Sequence, residues 1–265
     1  MTRQPSADRL PRTVIVTGAA QGIGYRIARY FAERGAAVLL ADREGPAVER
    51  AAAALVDSGG HAQAFAGDLA QAGTADHMVQ AMVRWQGGVD VLVNNAGGGV
   101  IRPFLEHTED TLWETLHRNL LTTIRCCRAV LPLMMAARYG RIVNIGADSV
   151  RNGLWRHALY NAAKGGVHGL TTGLAREFAP YGITVNCVAP SIVATEAVRA
   201  MLQDEPTDPV AADWRDFLAQ CVQIIPMGRP AEPEEVAALV YYLSTGAAGF
   251  VTGQVVSVNG GSTML

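Results

Sequence analysis

A β-branched apolar run that leads directly into three closely spaced glycines is the feature that most constrains this fold. Residues 13–16 are Thr-Val-Ile-Val, and Gly18, Gly22 and Gly24 follow before a stretch, 25–34, with helical spacing of apolar residues. Strand, glycine turn and helix in this order let the backbone approach a phosphate, because the helix N-terminus offers free N–H groups and the positive end of its dipole. The pattern predicts a dinucleotide-binding loop. The alternative is an ordinary strand-to-helix turn.

The end of the next apolar run indicates which dinucleotide the loop binds. Residues 37–41 are Ala-Val-Leu-Leu-Ala, and Asp42 follows them. A carboxylate about 20 residues beyond the glycines binds both ribose hydroxyls of the adenosine and repels a 2′-phosphate. Arg43 follows immediately, and a basic residue there can accept that phosphate. We expect NAD, with NADP less favoured. Capping of the next helix by Asp42 is the alternative, and it is compatible with the ribose role.

The remaining chain alternates between strand and helix patterns. This alternation predicts an α/β fold, a Rossmann-like doubly wound parallel sheet in a single domain. The predicted strands are 13–16, 37–41, 61–65, 89–93, 141–145, 184–188 and 255–258, and the predicted helices are 25–34, 46–57, 74–84, 108–138, 158–178 and 233–243.

The domain organisation follows from the stretches without strand signals. Residues 1–12 are polar and contain proline, so they are expected to form a flexible N-terminal arm before a catalytic domain at 13–265. Residues 192–227 contain no clear strand. A long excursion of this kind beside a site is often a lid, so we expect a lid-like insertion, with a solvated connector as the alternative.

Composition favours a small-molecule enzyme over several other classes. The 265 residues are 49% hydrophobic and 17% charged, with a formal net charge of −2. That balance predicts no nucleic-acid partner and no anionic membrane partner, and no apolar run reaches spanning length. The four cysteines show no C-x-x-C spacing, so neither a metal site nor a disulfide framework is predicted, and a reducing cytoplasm is expected.

Tyr160 and Lys164 form a pair that can move a proton to or from an alcohol oxygen. They are four residues apart in a predicted helix, so they share one face. A phenol is a poor base at pH 7, but an ammonium group within about 4–6 Å favours the phenolate. With a dinucleotide bound nearby, the pair predicts hydride transfer between a nicotinamide and an alcohol or carbonyl. The alternative is a surface tyrosine and lysine on a helix.

Six motifs in order carry a family resemblance. They are T-G-x-x-x-G-x-G at 17–24, Asp68-Leu69, N-N-A-G at 94–97, Asn119, Y-x-x-x-K at 160–164, and the segment 190–195. With them, residues 12–265 resemble a single-domain short-chain dehydrogenase/reductase. The predicted cofactor contacts are Gly18, Gln21, Gly22, Ile23, Gly24, Asp42, Arg43, Asp68, Leu69, Asn95, Ala96, Gly97, Tyr160, Lys164, Pro190, Ser191, Val193 and Thr195.

The resemblance also implies individual roles. It implies that Asp68 and Leu69 hold the adenine and that Thr195 contacts the nicotinamide carboxamide. It implies that Asn119 stabilises a helix bend, which orders a proton-relay water next to Lys164. The residue after Pro190 is Ser191 rather than the usual glycine, so this segment departs from the family pattern.

One position departs from the family pattern. A serine normally stands thirteen residues before the tyrosine and donates a hydrogen bond to the substrate oxygen, but this chain has Ala147 there. Ser149 lies two residues later, and on an extended segment it would face the same side as Ala147. Three alternatives stay open: Ser149 substitutes, a substrate hydroxyl or water supplies the bond, or the enzyme is slow or inactive. The predicted catalytic set is Asn119, Ser149, Tyr160 and Lys164.

Several short runs of the sequence indicate the substrate class. The runs at 94–98, 103–104 and 126–132 are similar to dehydrogenases of cis-dihydrodiol carboxylates, and those at 142–148 and 250–261 to alicyclic hydroxyacyl and 3-oxoacyl reductases. A ring-bearing secondary alcohol is the expected substrate. Arg151, Arg156 and His157 could hold a substrate carboxylate or be solvated. A dinucleotide-binding sensor is the non-enzymatic alternative.

Apolar residues on the two long predicted helices indicate the oligomeric state. They exceed what one sheet face can cover, so a homotetramer is expected. The examples are Leu112, Leu116, Leu120, Ile124, Val167, Leu170 and Leu174, and the strand 255–258 with Met264 and Leu265 is the predicted second interface.

Overall fold

The computed structural model describes residues 9–264. Of the predicted N-terminal arm, residues 9–12 are attached to the domain, because Arg9 Nη2 donates to Asp90 Oδ1 at 2.9 Å and the Arg12 amide to Asp90 Oδ2 at 3.0 Å. The rest of the predicted arm lies outside the described residues, as does Leu265 of the predicted second interface.

The architecture is a seven-stranded sheet in the order β3-β2-β1-β4-β5-β6-β7, and all its strand pairs are parallel. The predicted Rossmann-like α/β fold is confirmed. The strands are β1 Thr13–Thr17, β2 Ala37–Asp42, β3 His61–Ala66, β4 Val91–Asn94, β5 Gly140–Ile145, β6 Ile183–Pro190 and β7 Val255–Val258.

Helices cover both faces of the sheet. They are α1 Gly22–Ala32, α2 Gly45–Asp57, α3 Thr74–Gln86, α4 Glu109–Leu116, α5 Thr122–Ala137, α6 Ser149–Asn152, α7 Ala158–Phe178, α8 Glu196–Gln203, α9 Pro209–Gln223 and α10 Pro233–Ser244. The predicted helix 108–138 is therefore divided, since a π-helical turn at His117–Leu121 separates α4 from α5. The predicted lid contains α8 and α9.

The core lies in two layers, one on each face of the sheet. Successive side chains of a strand point to opposite faces. Val14 and Val16 of β1 accordingly pack with α1, α2 and α10, while Ile15 between them packs with α3 and α5. Strands buried on both faces read as continuous apolar runs, as expected for a parallel sheet covered by helices.

The stretch Glu109–Ala137 has the length and apolar composition of a membrane-crossing helix. Its buried residues, including Cys126, Val130 and Met134, belong to the core cluster on the sheet face. The most apolar window of this stretch is 39% buried within the protein, so packing in the core accounts for part of its apolar composition.

The strand order places the site. β1 lies between β2 and β4, so successive strands are added on one side of β1 as far as β3 and on its other side from β4 onward. In open α/β sheets a crevice forms outside the carboxyl ends of the strands at such a switch point. The glycine turn after β1 and the segments after β4, β5 and β6 all lie at this edge.

Candidate active site

The glycine turn has the geometry that its sequence predicts. Gly18 and Gly22 have φ of 63° and 59°, a left-handed conformation that favours glycine. At Gly24 a Cβ would lie 2.1 Å from the Gly18 carbonyl oxygen and 2.5 Å from Asn95 Nδ2. Any side chain at Gly24 would therefore displace the turn.

Asn95 and Thr17 hold the turn against the end of β4. Asn95 Nδ2 donates to the Thr17 and Gly18 carbonyl oxygens at 3.0 Å each. Thr17 Oγ1 accepts from the amides of Asn95 at 3.0 Å and Ala96 at 2.9 Å. The two segments at the switch point therefore form one hydrogen-bonded unit.

A cavity of about 340 Å³ lies where the adenosine half of a dinucleotide is expected. Nine of the predicted cofactor contacts line it: Gly18, Gln21, Asp42, Arg43, Asp68, Leu69, Asn95, Ala96 and Gly97. Predicted contacts from four separate segments of the sequence therefore meet here.

Asp42 connects two segments of this cavity. Its Oδ2 accepts from the Ala20 amide of the glycine turn at 3.1 Å, and its Oδ1 accepts from the Glu44 amide at 3.2 Å. Arg43 Nε lies 3.4 Å from Glu44 Oε1, so its charge is paired at the surface. Glu44, not Asp42, is the N-cap residue of α2.

A second cavity of about 430 Å³ adjoins the first, since Asn95 and Gly97 line both. Tyr160, Lys164, Ala147, Ser149, Ile23, Pro190, Ser191 and Thr195 line this second cavity. The predicted catalytic tyrosine, lysine and serine thus share one space. Cys221, Ile224 and Ile225 of the predicted lid and Ser262 near the C-terminus also line it.

The predicted cofactor contacts in the segment after β6 differ in their surroundings. The Ser191 hydroxyl is buried and has no hydrogen-bond partner among residues 9–264. An unpartnered hydroxyl in this wall and the glycine cradle both fit a bound dinucleotide. Thr195 Oγ1 accepts from the Val198 amide and caps α8. Val193 is 6% exposed and packs in the core, where it pairs with Ala231, so its side chain does not line either cavity.

Burial dominates the ionisation of the catalytic pair. Lys164 is 4% exposed, and its Nζ donates to the Ile145 carbonyl at 2.8 Å and lies 5.8 Å from the Tyr160 ring centroid. Burial lowers the pKa of Lys164 to about 8 and raises the pKa of Tyr160 to about 12. In the protein alone, Lys164 therefore does not lower the pKa of Tyr160 as expected.

Asn119 lies in the π-helical turn between α4 and α5. Its Nδ2 donates to the carbonyls of Gly98 and Thr115 at 2.9 Å each, and its Oδ1 accepts from the Gly98 amide at 3.2 Å. These bonds hold the segment after β4 against the irregular part of the helix, as the predicted role in a helix bend requires. A Cβ at Gly97 would lie 2.7 Å from Asn119 Oδ1 and 3.4 Å from Lys164 Nζ, so the three residues are close neighbours.

The chain after Ala147 turns at Asp148 and enters the short helix α6 at Ser149, where an extended segment was expected. Ser149 is the first residue of α6, and its hydroxyl donates to Asn161 Oδ1 at 2.6 Å. The alternation argument that placed Ser149 beside Ala147 is therefore wrong. Both residues nevertheless line the catalytic cavity, at 8% and 6% exposure, so a serine hydroxyl is present in its wall.

The arginines before Tyr160 do not face the cavity. Arg151 donates to Ser257 Oγ at 2.6 Å and to the Val255 carbonyl at 2.7 Å, both on β7. Arg156 forms a two-pronged ion pair with Asp213 of α9, at 2.6 and 3.2 Å. Neither arginine lines the catalytic cavity, so neither guanidinium is placed to bind a substrate carboxylate there. His157, the third candidate, does line the cavity.

Asp148 is a structural centre that sequence reasoning missed. Its side chain is fully buried and accepts from Ser257, Asn259, Ser262 and Thr263 at 2.5 to 3.1 Å. It therefore ties the loop after β5 to the C-terminal segment. A lone aspartate in the sequence carries no signal for partners more than a hundred residues away.

Comparisons with known proteins agree with this geometry. Residues 18–263 match the family model described as Enoyl-(Acyl carrier protein) reductase. The chain is 50% identical to 2,3-dihydroxy-2,3-dihydro-p-cumate dehydrogenase of Pseudomonas putida over 98% of each chain. It is 34% identical to 1,6-dihydroxycyclohexa-2,4-diene-1-carboxylate dehydrogenase of Acinetobacter baylyi, over 94% of this chain and 95% of that relative.

A solved structure gives the same result at the level of the fold. The crystal structure of a putative gluconate dehydrogenase from Agrobacterium tumefaciens superposes with a TM-score of 0.87 at 30% identity, covering 98% of this chain and 99% of the other. Sequence, fold and site agree: the chain belongs to the short-chain dehydrogenase/reductase family and is an oxidoreductase that acts on CH–OH groups with a nicotinamide cofactor.

Proposed function

We propose that this protein oxidises a ring-bearing cis-dihydrodiol with NAD as hydride acceptor. The observation that carries the proposal is the catalytic cavity, where Tyr160 and Lys164 meet an apolar wall formed by Ile101 and Leu154 with three isoleucines of the predicted lid, Ile192, Ile224 and Ile225. An apolar wall around one proton-transferring group suits a carbocycle that presents a hydroxyl. The two relatives named for ring dihydrodiols support the same substrate class.

The preference for NAD rests on Asp42. Its carboxylate lines the adenosine cavity, and Arg43 beside it is paired with Glu44. A carboxylate can accept from both ribose hydroxyls and opposes a 2′-phosphate. Dissociation constants for NADH and NADPH test this directly. Equal affinity for the two would show that Arg43 offsets the carboxylate.

Tyr160 is the proposed acid/base. The nicotinamide, when bound, takes up the hydride. Tyr160 removes the hydroxyl proton in the oxidation direction or returns it in reduction. Lys164, held by the Ile145 carbonyl, places its ammonium beside the phenol, where a positive charge favours the phenolate. Asn119 keeps the segment after β4 in place next to Lys164.

Ser149 is the proposed donor to the substrate oxygen in place of the absent serine at 147. In the protein alone its proton is given to Asn161 Oδ1. An amide carries both an acceptor and a donor. If the Asn161 side chain turns over, its Nδ2 donates to the serine oxygen, and the hydroxyl proton is released toward the substrate. One side-chain rotation thus supplies the missing hydrogen bond.

The assay uses the purified protein with NAD⁺ and a panel of cis-dihydrodiols, with and without a ring carboxylate, read as NADH formation at 340 nm. A 3-oxoacyl thioester with NADH or NADPH is the comparison arm, because part of the sequence resembles 3-oxoacyl reductases. Diol oxidation is the expected result. Reduction of the thioester with no diol oxidised would overturn the proposal.

A homotetramer is also proposed. Six of the seven apolar residues named on the long helices are only partly buried, whereas Val167 is 1% exposed and belongs to the interior. Among residues 9–264, β7 pairs with β6 alone, and Phe250 and Met264 near it in sequence are exposed. Sedimentation tests this: a single species of monomer mass at micromolar concentration would contradict it. All four cysteines are free and buried, which suits the proposed cytoplasmic location.

A further inference from the structure

His157 presents an unused hydrogen-bond acceptor to the catalytic cavity. Its Nδ1 lies 2.7 Å from the Trp155 carbonyl oxygen, and a carbonyl can only accept, so Nδ1 carries the hydrogen. In a neutral imidazole the other nitrogen, Nε2, then has a free lone pair. Burial lowers the pKa of His157, which keeps the ring neutral at pH 7. Nε2 has no partner within residues 9–264.

The ring is fixed beside the acid/base. It meets the Tyr160 ring edge-on, with centroids 5.7 Å apart at 81°, and stacks on Phe217 of the lid at 5.9 Å and 29°. His157 and Tyr160 both line the catalytic cavity. A molecule that presents one oxygen to the phenol therefore has the imidazole as its immediate neighbour.

The backbone before His157 is strained to hold this position. Arg156 has a φ of 62°, a left-handed conformation that a non-glycine residue adopts only at a cost. Arg156 is ion-paired with Asp213, and the next residue, His157, lines the cavity. Strain of this kind recurs at binding sites, where the surrounding structure maintains it.

Two other side-chain acceptors before α7 are already bonded. Asn152 Oδ1 accepts from the Leu154 amide at 3.1 Å, and the Asp148 carboxylate accepts from four side chains of the C-terminal segment. His157 Nε2, by contrast, has no such bond among residues 9–264 and is free to accept from a ligand.

We propose that His157 is a specificity residue: its Nε2 accepts a hydrogen bond from the hydroxyl next to the one that is oxidised, so the site selects vicinal cis-diols over simple alcohols. This inference rests on the proposed function. A cis-diol that gives one oxygen to Tyr160 places its second hydroxyl on the same side of the ring. That hydroxyl would lose its bond to water on entering the cavity, and an acceptor restores it.

The test compares two substrates that differ by one hydroxyl, cis-cyclohexane-1,2-diol and cyclohexanol, in the wild type, His157→Phe and His157→Gln. Phenylalanine keeps a ring against Tyr160 and Phe217 but has no acceptor. Glutamine restores a side-chain acceptor. His157→Phe should lose about 10- to 100-fold in kcat/KM for the diol and less than about 3-fold for cyclohexanol. His157→Gln should recover part of the diol rate.

Equal losses on both substrates would show that the ring only positions Tyr160, and no loss on the diol would show that Nε2 is not used; either result overturns the inference. If the wild type turns over ring dihydrodiols but neither saturated alcohol, the two compounds serve as competitive inhibitors. Tighter inhibition by the diol, abolished in His157→Phe, supports the inference, and equal inhibition overturns it. If the wild type oxidises no ring diol at all, the proposed function fails and the inference fails with it.

Discussion

His168 is predicted to make this protein sensitive to mild acid. It lies one turn beyond Lys164 on α7, and its Nε2 is buried without a hydrogen-bond partner in the described part of the chain. A Cβ at Gly146 would lie 2.5 Å from this nitrogen and 2.6 Å from Cys187 Sγ, so the imidazole is packed tightly under the loop after β5.

The size of the expected loss of stability follows from the pKa of His168. Burial, with the charges of Arg151 and Lys164, lowers the pKa of His168 from 6.5 to about 4, while Asp148 opposes this shift. The folded-state pKa is below the unfolded one, so the unfolded chain binds the extra proton between pH 6.5 and 4. The free energy of unfolding should therefore decrease as the pH is lowered through that window, by at most about 1.4 kcal/mol per pH unit and about 3 kcal/mol in total.

The assay is urea unfolding of the wild type and His168→Leu at pH 7, 6, 5 and 4.5. The difference between the two removes titrations that they share. Leucine cannot be protonated, so the variant should gain about 1 to 3 kcal/mol relative to the wild type as the pH falls from 7 to 4.5. Parallel pH curves for the two proteins would refute the reasoning, and would mean that His168 is hydrated or hydrogen-bonded when protonated.

Three further predictions concern the site. Gly24→Ala should abolish dinucleotide binding while leaving a folded protein, because its Cβ would lie 2.1 Å from the Gly18 oxygen; calorimetry with NADH tests this, and unchanged affinity would contradict it. Ser149→Ala should lower kcat by about 100-fold, with Ala147→Ser giving little gain; a silent Ser149→Ala with a faster Ala147→Ser would show that substrate or water supplies the bond. Asp148→Asn should lower the free energy of unfolding by about 2 kcal/mol or more, measured by denaturation, and an unchanged midpoint would show that the C-terminal segment is held without that charge.

The sheet and most of the site were predictable because their signals are local. Each central strand is a β-branched run, and its three glycines are enough to identify the turn at Gly18–Gly24. The lid-like insertion at 192–227 was predicted as an excursion without strands, and the bounds of its helices α8 and α9 were not predicted. The family resemblance implied a helix bend at Asn119, but the residues alone predicted one continuous helix over 108–138, because the π-helical turn at His117–Leu121 depends on what Asn119 bonds after folding.

The orientation of polar side chains was the least predictable part. Arg151 and Arg156 lie in the right loop for a substrate carboxylate, yet their partners on β7 and α9 direct them away from the cavity. Those partners are 57 or more residues distant in sequence. Contacts made across such distances follow from packing of the whole chain and leave no trace in a local motif.

The central claim is that Tyr160 transfers the proton during NAD-dependent oxidation of a ring cis-diol. The most direct measurement is the rate of NADH formation from a cis-dihydrodiol by the wild type and by Tyr160→Phe, with NADH affinity measured on both. The account predicts steady NADH formation by the wild type, less than about 1% of that rate in the variant, and nearly equal affinities, because the ring is kept and only the transferable proton is lost. A variant that retains more than a few per cent of the wild-type rate, with cofactor bound normally, would contradict it.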